Sequence, residues 1–379
     1  MPWSSRFALC RNNSTPSSAN RQYHKDHPPT PKLYNLIFQL LLLKKNSIHI
    51  KHEINIRKQC YKYPNDVKWV DPDTGQTPLC LALTLLSGTC TQIKRYYTKT
   101  GAVNIIAMML ELYPAALYIQ DEHGRTPLHY AIREVAPYTI LELICNRLCF
   151  FSATDDININ RLSHMLRLPN DVTQHVLSFI PNPGLMKDNV NGSTPLLLAS
   201  SSSDNLLQSS LLEKLLCIAP SACSIPDLCG YIPLHYICRV NCYLSTDVIE
   251  PLICAAPNTV MVSDKNGNTP LHHICKAPFQ HDDSYFLEAV RMLIDSYPDA
   301  ASMMNKDGKT PLHNACHTSL SAGVVWEIWC ANPNSLFNED GRGMTPLQYA
   351  RSPHQFANPM MNRRILQMLF RIRGEVSVQ

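Results

Sequence analysis

The sequence has few charged residues and no long apolar run. Of its 379 residues only 17% are charged and 45% are apolar, whereas about 25% are charged in a typical soluble protein. A chain of this composition can bury a large core, so disorder along its whole length is excluded. The longest apolar candidate, Leu36 to Leu43, contains Gln39 and is about half as long as the ~20 residues that a transmembrane helix needs. A transmembrane bundle is therefore excluded as well.

Sequence motifs of catalysis are also missing. There is no phosphate-binding GxxxxGKS/T loop, no GxGxxG, no HExxH and no GxSxG. Once the repeats described below are subtracted, no remaining segment is long enough for a catalytic domain. The sequence therefore predicts a protein that is not an enzyme and that uses no cofactor, no metal and no small-molecule substrate.

Acidic residues are scarce at the N-terminus alone. Residues 1–60 hold ten Lys and Arg but only Asp26 and Glu53, whereas the rest of the chain carries 24 basic and 28 acidic residues. The body is thus nearly neutral, without the large basic face that binds nucleic acid. Nucleic acid is not predicted as a partner.

Cysteine is present in an odd number, 15, spread evenly along the chain. No apolar leader region precedes residue 35, so a secreted protein with a disulfide framework is not predicted. We expect mostly reduced, buried cysteines in a cytoplasmic or nuclear protein.

Proline marks an internal repeat, which is the strongest signal in the sequence. The string D/N-x-x-G-x-T-P-L recurs with small departures, and its prolines lie 35 to 68 residues apart. In five copies a second proline lies 13 residues upstream of the first, as Pro114 does of Pro127. The repeat prolines are Pro78, Pro127, Pro195, Pro233, Pro270, Pro311 and Pro346, and the copies begin at Asp73, Asp121, Asn189, Asp227, Asp264, Asn305 and Asp340.

Each copy combines a turn with a helix start. Gly124 suits a turn residue with positive φ, and Asp121 can accept backbone N–H groups of that turn. Thr126 is a suitable helix cap, and Pro127 fits the first helical turn, where its missing N–H has no cost. A short apolar helix is predicted over Leu128–Ile132.

A longer amphipathic helix is predicted to precede the upstream proline, which ends it. Gly101–Leu112 and Tyr285–Ser296 show this pattern. One helix pair cannot bury its apolar face alone, whereas stacked pairs can.

These strings resemble ankyrin repeats, as in DEHGRTPLHYA from residue 121 and NKDGKTPLHNA from residue 305, and the resemblance covers roughly residues 63–350. It implies an all-α solenoid of about seven ankyrin-like helix-turn-helix repeats with short β-turn connections. The units exceed the usual ~33 residues and are similar to the divergent, long-loop arrays common in algal proteomes. The resemblance implies a protein-protein interaction scaffold that binds a partner on its concave face.

The remaining segments are predicted to flank or interrupt this array. We expect a disordered basic tail at 1–31, a capping or degenerate repeat at 32–62, an insertion at about 146–167 and a C-terminal cap at 351–379. A terminal helix is predicted over 358–372. Its stack-facing side would carry Ile365, Leu366, Met368, Leu369 and Phe370.

Residues of the repeat motif are predicted to be structural. Four histidines occupy one motif position in different units, so they cannot converge on one metal ion, and we expect each to bond the neighbouring turn. Cys238, Cys275 and Cys316 recur at one core position. The motif residues are Thr126, Pro127, Leu128, His129, Pro233, His235, Thr269, Pro270, His272, Thr310, Pro311, His313, Thr345 and Pro346.

The variable positions are predicted to bind the partner. In ankyrin arrays the turn tips and the exposed side of the first helix line the concave face. From Arg239 to Arg342 this strip is mildly basic, which favours an acidic or phosphorylated peptide as ligand. The candidate residues are Glu122, His123, Arg125, Tyr130, Arg133, Tyr231, Tyr236, Arg239, Lys265, Asn266, His273, Lys276, Lys306, Lys309, Arg342 and Tyr349.

Three alternatives remain open. Residues 167–180 resemble the start of an F-box, which would make the chain a substrate adaptor of a ubiquitin ligase, although the spacing also fits an ordinary second helix of a repeat. Residues 1–45 faintly resemble an organelle-targeting segment. The pairs Cys145/Cys149 and Cys238/Cys242, the second near His235, have a spacing that zinc could use, but no second cluster completes a site.

Overall fold

The computed structural model describes residues 31–42, 50–87, 99–152, 182–201, 209–239, 246–276, 283–318, 320–351 and 359–376. Within these ranges it is all helical and has two layers. Inner helices pack against inner helices and outer against outer, in chain order. The solenoid predicted from the repeat is confirmed.

The inner layer contains eight described helices, most of them short. From the second onward, each begins at a repeat proline, as the Thr-Pro signal predicts. They are α1 (Lys32–Leu42), α3 (Pro78–Ser87), α5 (Pro127–Arg133), α7 (Pro195–Ser201), α9 (Pro233–Arg239), α11 (Pro270–Lys276), α13 (Pro311–Thr318) and α15 (Pro346–Arg351).

The outer layer contains eight described helices, most of them longer. They are α2 (Ile50–Lys62), α4 (Lys99–Leu112), α6 (Tyr138–Ser152), α8 (Ser209–Ile218), α10 (Thr246–Ala255), α12 (Asp283–Ser296), α14 (Ala322–Ala331) and α16 (Pro359–Val376). Six of them end two residues before a proline that opens a short 3₁₀ helix. These 3₁₀ helices are Pro64–Lys68, Pro114–Tyr118, Pro220–Ser224, Pro257–Met261, Pro298–Ala301 and Pro333–Phe337.

One apolar core runs through both layers along the described residues. Cys238, Cys275 and Cys316 are buried in it as successive inner-helix residues. Leu33 and Ile37 of α1 are fully buried as well, so this part of the suspected targeting segment contributes to the core. In the described part of the chain, no helix is both long and apolar enough to traverse a bilayer.

The insertion expected at about 146–167 begins within a helix. Residues 146–152 are the last part of α6, and α6 packs between α4 and α8 in the outer layer. The spacing had suggested residues 167–180 as the second helix of the repeat at this position. Residues 153–181, with the F-box-like segment, lie outside the described residues, as do residues 1–30.

The terminal helix differs from the expectation at one residue. Ile365 and Leu369 are buried, and Leu366 and Met368 pack partly against the core. Phe370, however, is 47% exposed. The guanidinium of Arg351 lies 5.3 Å from the centre of its ring.

Candidate partner-binding face

Each turn of this face is built around one buried side chain, which is an aspartate in six units and Asn305 in the other. Oδ1 of Asp121 accepts the backbone N–H of His123 at 2.9 Å and of Arg125 at 2.8 Å. Gly124 completes the turn with φ +73°, and a Cβ there would lie 2.9 Å from the carbonyl oxygen of Lys187 in the next turn. The close approach of adjacent turns therefore requires glycine.

Two turn acids were assigned wrongly from the sequence. In the first and third turns the buried residues that accept backbone N–H groups are Asp71 and Asp188, rather than Asp73 and Asn189. Both turns are one residue longer than the others. The signal was the upstream proline, because Pro64 and Pro181 precede Asp71 and Asp188 by the same seven residues that separate Pro114 from Asp121. In chain order the seven turn residues are Asp71, Asp121, Asp188, Asp227, Asp264, Asn305 and Asp340.

Backbone hydrogen bonds join each turn to the next. The residue after the turn acid donates its N–H to a carbonyl of the preceding turn, as Lys265 does to Cys229 at 3.1 Å and Lys306 to Asn266 at 3.0 Å. Six such bonds link the seven turns, and we call them the turn ladder. Its donors are Glu122, Asn189, Leu228, Lys265, Lys306 and Gly341.

The repeated histidines, at the start of the inner helices, bond the neighbouring turn, as predicted. Thr269 donates its backbone N–H to Nδ1 of His272 at 3.2 Å, and Nε2 of His272 lies 2.9 Å from the carbonyl oxygen of Lys309 in the next turn. Because an amide only donates and a carbonyl only accepts, His272 is neutral with its proton on Nε2. The same bonds to the next turn run from His129 to Ser193, from His235 to Asn268 and from His313 to Met344.

Burial shifts the titration of these histidines. It lowers the pKa of His272 to about 4 and, with His273 nearby, that of His235 to about 4 as well. Burial also lowers the pKa of His129 and His313. All four therefore stay neutral near pH 7.

Four side chains that we expected to face a partner hold the turns instead. They stand three residues after the repeat proline, and the tip of each reaches Oδ2 of its turn acid. Tyr130 and Tyr349 are 6% and 7% exposed, which leaves little of either ring for a ligand. The pairs are Tyr130 with Asp121 at 2.6 Å, Tyr236 with Asp227 at 2.7 Å, His273 with Asp264 at 2.9 Å and Tyr349 with Asp340 at 2.7 Å.

Most other candidate residues are accessible. They stand at the turn tips or at the ends of the inner helices. The exposed ones are Glu122, Arg133, Arg239, Lys265, Asn266, Lys276, Lys306 and Arg342, and the half-buried ones are His123, Arg125, Tyr231 and Lys309. We call Arg239, Lys265, Lys276, Lys306, Lys309 and Arg342 the basic strip.

Aromatic rings support two cations of the strip. The Arg239 guanidinium lies 5.6 Å from the ring centre of Tyr231, and the Lys309 ammonium lies 4.7 Å from that of Tyr349. The Tyr231 ring also packs edge-on against His273 of the following unit at 5.2 Å. These contacts hold charged ends on a rigid base.

The cysteines provide no metal centre among the described residues, where no cluster of three or more His, Cys, Asp or Glu side chains has a suitable arrangement. Cys145 and Cys238 are buried, and burial raises the pKa of both thiols. Cys242 lies outside the described ranges. The described residues of these pairs are thus protonated core side chains.

Comparison with known proteins identifies the central part of this array. No curated protein matches the chain. Residues 234–326 match the family model of ankyrin repeats, in three copies. This match begins in α9 and ends in α14. Within it the buried turn residue, the repeat histidine, the inner helix and the outer helix all recur. Residues 234–326 of the chain are therefore identified as ankyrin repeats.

Proposed function

We propose that the chain is a non-catalytic scaffold that binds an acidic segment of a protein partner along the basic strip. Ankyrin repeats are generally protein-protein interaction modules. The observation that supports the ligand class is the gathering of six cationic side chains from four successive units on one face. Asp307 is the one acid in this part of the predicted strip.

Two outer helices of these units carry net negative charge, whereas α16 is basic. Asp247 and Glu250 are exposed on α10, and Glu288 and Asp295 are exposed on α12 beside Arg291. At the level of α10 and α12, negative charge thus lies in the outer layer and positive charge on the inner helices and turns, which would orient an acidic partner toward the basic strip. Arg and Tyr, as in the Arg239–Tyr231 pair, are also the residue types most often found at interface hot spots.

A charge-reversal experiment tests this proposal. The probe is a short fluorescent peptide rich in Asp and Glu, beside its Asn and Gln counterpart, and binding is measured by fluorescence anisotropy at several salt concentrations. The strip variant carries Arg239→Glu, Lys265→Glu, Lys306→Glu and Arg342→Glu. We expect wild type to bind only the acidic peptide, and the strip variant to lose about tenfold or more in affinity.

A matched variant controls for net charge. It carries Lys58→Glu, Lys68→Glu, Arg363→Glu and Arg364→Glu, four exposed positions outside the strip, and we expect its affinity to stay within about twofold of wild type. Equal losses in both variants would show only a general charge effect. No binding by wild type would refute the acidic-ligand proposal.

A ubiquitin-ligase adaptor remains a second candidate, because α6 supplies the outer helix that residues 167–180 would otherwise have to form. Since α6 fills the outer-layer position between α4 and α8, the array does not need residues 167–180 as its outer helix there. We expect Leu177→Asp to leave the urea midpoint unchanged, whereas Ile144→Asp in α6, where Ile144 is fully buried, lowers it. A pull-down with a purified F-box-binding ligase scaffold, lost in L177D, would support this candidate, and no capture by wild type would exclude it.

A further inference from the structure

We propose that Asn314 forms, together with Lys276 and Lys309, a subsite for the phosphate group of a phosphorylated side chain. This inference rests on the proposed function and specifies part of the ligand. It concerns one unit of the strip, the one whose turn residue is Asn305.

Asn314 differs from its counterparts in four other inner helices. At its position, three residues after the repeat proline, Tyr130, Tyr236, His273 and Tyr349 carry rings that reach the turn carboxylate. The asparagine side chain is shorter. It stands on the same side of its helix, toward the turn and the strip.

The turn residue of this unit cannot take the place of a carboxylate. Asn305 is an amide, and its Oδ1 already accepts the backbone N–H of Asp307 at 3.0 Å and of Lys309 at 2.9 Å. Its Nδ2 donates to Oδ1 of Asn268 at 2.9 Å. No second carboxylate oxygen is present for Asn314 to bond.

The amide of Asn314 is consequently left with a buried donor. Asn314 is 5% exposed, and its Nδ2 has no hydrogen-bond partner among the described residues. Buried N–H groups are nearly always paired in native proteins, so an orphan of this kind needs an explanation. A ligand oxygen that reached this enclosed atom would supply the missing acceptor.

Two ammonium groups lie near this unit. The ammonium group of Lys309, five residues before Asn314, lies 4.7 Å from the ring centre of Tyr349, which holds the position of Asn314 in the next unit. Lys276 lies on the neighbouring inner helix, and its Nζ donates to Oδ1 of Asn268 at 2.7 Å, the atom that also receives Asn305. Burial lowers the pKa of Lys276, and Asp264 opposes this, but the charge of Lys309 lowers the pKa further.

This donor set matches a phosphate monoester. Two cations repel each other until an anion lies between them, and a phosphate near pH 7 carries close to two negative charges and three acceptor oxygens. An amide N–H and two ammonium groups can each take one oxygen. A carboxylate offers a single charge and two oxygens, so it would satisfy the set only in part.

Nuclear magnetic resonance tests the subsite without a partner. The probe is phenyl phosphate, titrated into the full chain labelled with ¹⁵N-asparagine, with benzoate as the carboxylate control. We expect the side-chain amide signal of Asn314, assigned through its loss in Asn314→Tyr, to shift with phenyl phosphate and much less with benzoate. An amide signal that does not move, or that moves equally with both, would overturn the proposal.

A peptide experiment separates this inference from the proposed function. One acidic host peptide carries phosphoserine, glutamate or serine at its centre. We expect wild type to prefer the phosphoserine peptide by about tenfold over the glutamate peptide. Asn314→Tyr, which restores the ring found in four other units, should abolish this preference and leave the affinity for the glutamate peptide within about twofold.

The outcomes are distinguishable. If wild type binds the acidic host without preferring phosphoserine, or if Asn314→Tyr keeps the preference, the subsite is wrong and the scaffold proposal stands. If no host peptide binds while the Asn314 amide still responds to phenyl phosphate, the subsite stands and the acidic-segment proposal fails. Asn314→Leu, which removes the donor without adding a ring, should reproduce the Asn314→Tyr result.

Discussion

At the residue scale, each repeat histidine does two structural tasks with one tautomer. Nδ1 of His272 accepts the N–H of Thr269 at its own helix start, and Nε2 donates to Lys309 in the next unit. A glutamine can do only part of this. In the last turn, Oε1 of Gln348 accepts the N–H of Thr345 at 2.7 Å, and no further described turn follows it.

The glutamine suggests a graded test of the two tasks. We expect His272→Ala to lower the free energy of unfolding by about 2–3 kcal/mol, because it removes both bonds and leaves a buried N–H unpaired. His272→Gln should lose less, since it keeps the cap, and His123→Ala at a half-buried turn tip should cost about 0.5 kcal/mol or less. Urea denaturation measures all three. Equal losses in His272→Ala and His272→Gln would contradict a separate contribution from the cap.

The same histidines predict loss of stability in mild acid. Their pKa values are lower in the folded chain, about 4 for His235 and His272 against an ordinary 6.5. The unfolded chain therefore binds more protons between these values, and stability falls as the pH drops from about 6.5 toward 4. Below the folded pKa values these two residues add no further loss.

Urea midpoints between neutral pH and pH about 4 measure this slope. We expect the double variant His235→Gln, His272→Gln to be less stable than wild type near pH 7 and to show a shallower decline. An identical decline in both proteins would assign the effect to other groups. Carboxylates such as Asp264 affect stability at lower pH. Burial raises the pKa of Asp264, but its hydrogen bonds lower the pKa by more, so protonation of this group destabilises the fold mainly below pH 3.8.

Residue-level prediction succeeded at the histidine position of the motif. The histidine bonds to the next turn followed from the motif because the four histidines recur in separate units and cannot share one ligand. The tyrosines were misassigned because tyrosine is a residue type common at interface hot spots. The Tyr130 hydroxyl instead bonds the carboxylate of Asp121, nine positions earlier, and the ring is buried. Sequence spacing alone did not reveal that pairing.

At the scale of elements, the terminal helix α16 shows how periodicity can mislead. Leu369 and Phe370 are adjacent, and a helix cannot present both to one neighbour at 3.6 residues per turn. We expect Leu369→Ala, at a fully buried site, to cost about 2–4 kcal/mol, and Phe370→Ala to cost about 1 kcal/mol or less. Thermal unfolding of the two variants checks this. The order would be reversed if Phe370 packed against the array.

The outer helix α6 was missed for a related reason. No proline follows α6 within two residues, because the upstream proline of the next turn, Pro181, lies 29 residues after Ser152. The sequence pattern just before Pro181 suggested the outer helix there instead. Helix ends set by Thr-Pro or by an upstream proline were predicted within one or two residues. Where the upstream proline and the outer helix are far apart in sequence, packing in the outer layer determines which segment forms the outer helix.

At the scale of the whole molecule, the junction between the third and fourth turns differs from those that follow. Leu197 stands where the histidine would be, so this junction has the ladder bond from Leu228 to Asn191 and an exposed bond from Lys187 to the carbonyl of Pro226, but no buried histidine bond. The first turn likewise has Cys80 at that position. The three junctions from the fourth turn onward all contain the histidine bond.

This difference predicts two blocks that open separately. In hydrogen exchange with mass spectrometry at moderate urea, we expect peptides up to residue 201 to exchange together and before peptides from 233 to 351, because stability in stacked repeats is a sum of unit and neighbour terms. The block from 233 contains the family match. One cooperative exchange step for all described helices would contradict it.

The turn ladder separates assembly from recognition. Its bonds join backbone atoms only, so the side chains of Glu122, Leu228, Lys265 and Lys306 project into solvent without holding the stack together. Substitutions at these positions can therefore change which partner binds without breaking the backbone bonds that join the units. A combinatorial library randomised at these few codons would vary the binding specificity while every member kept the same scaffold.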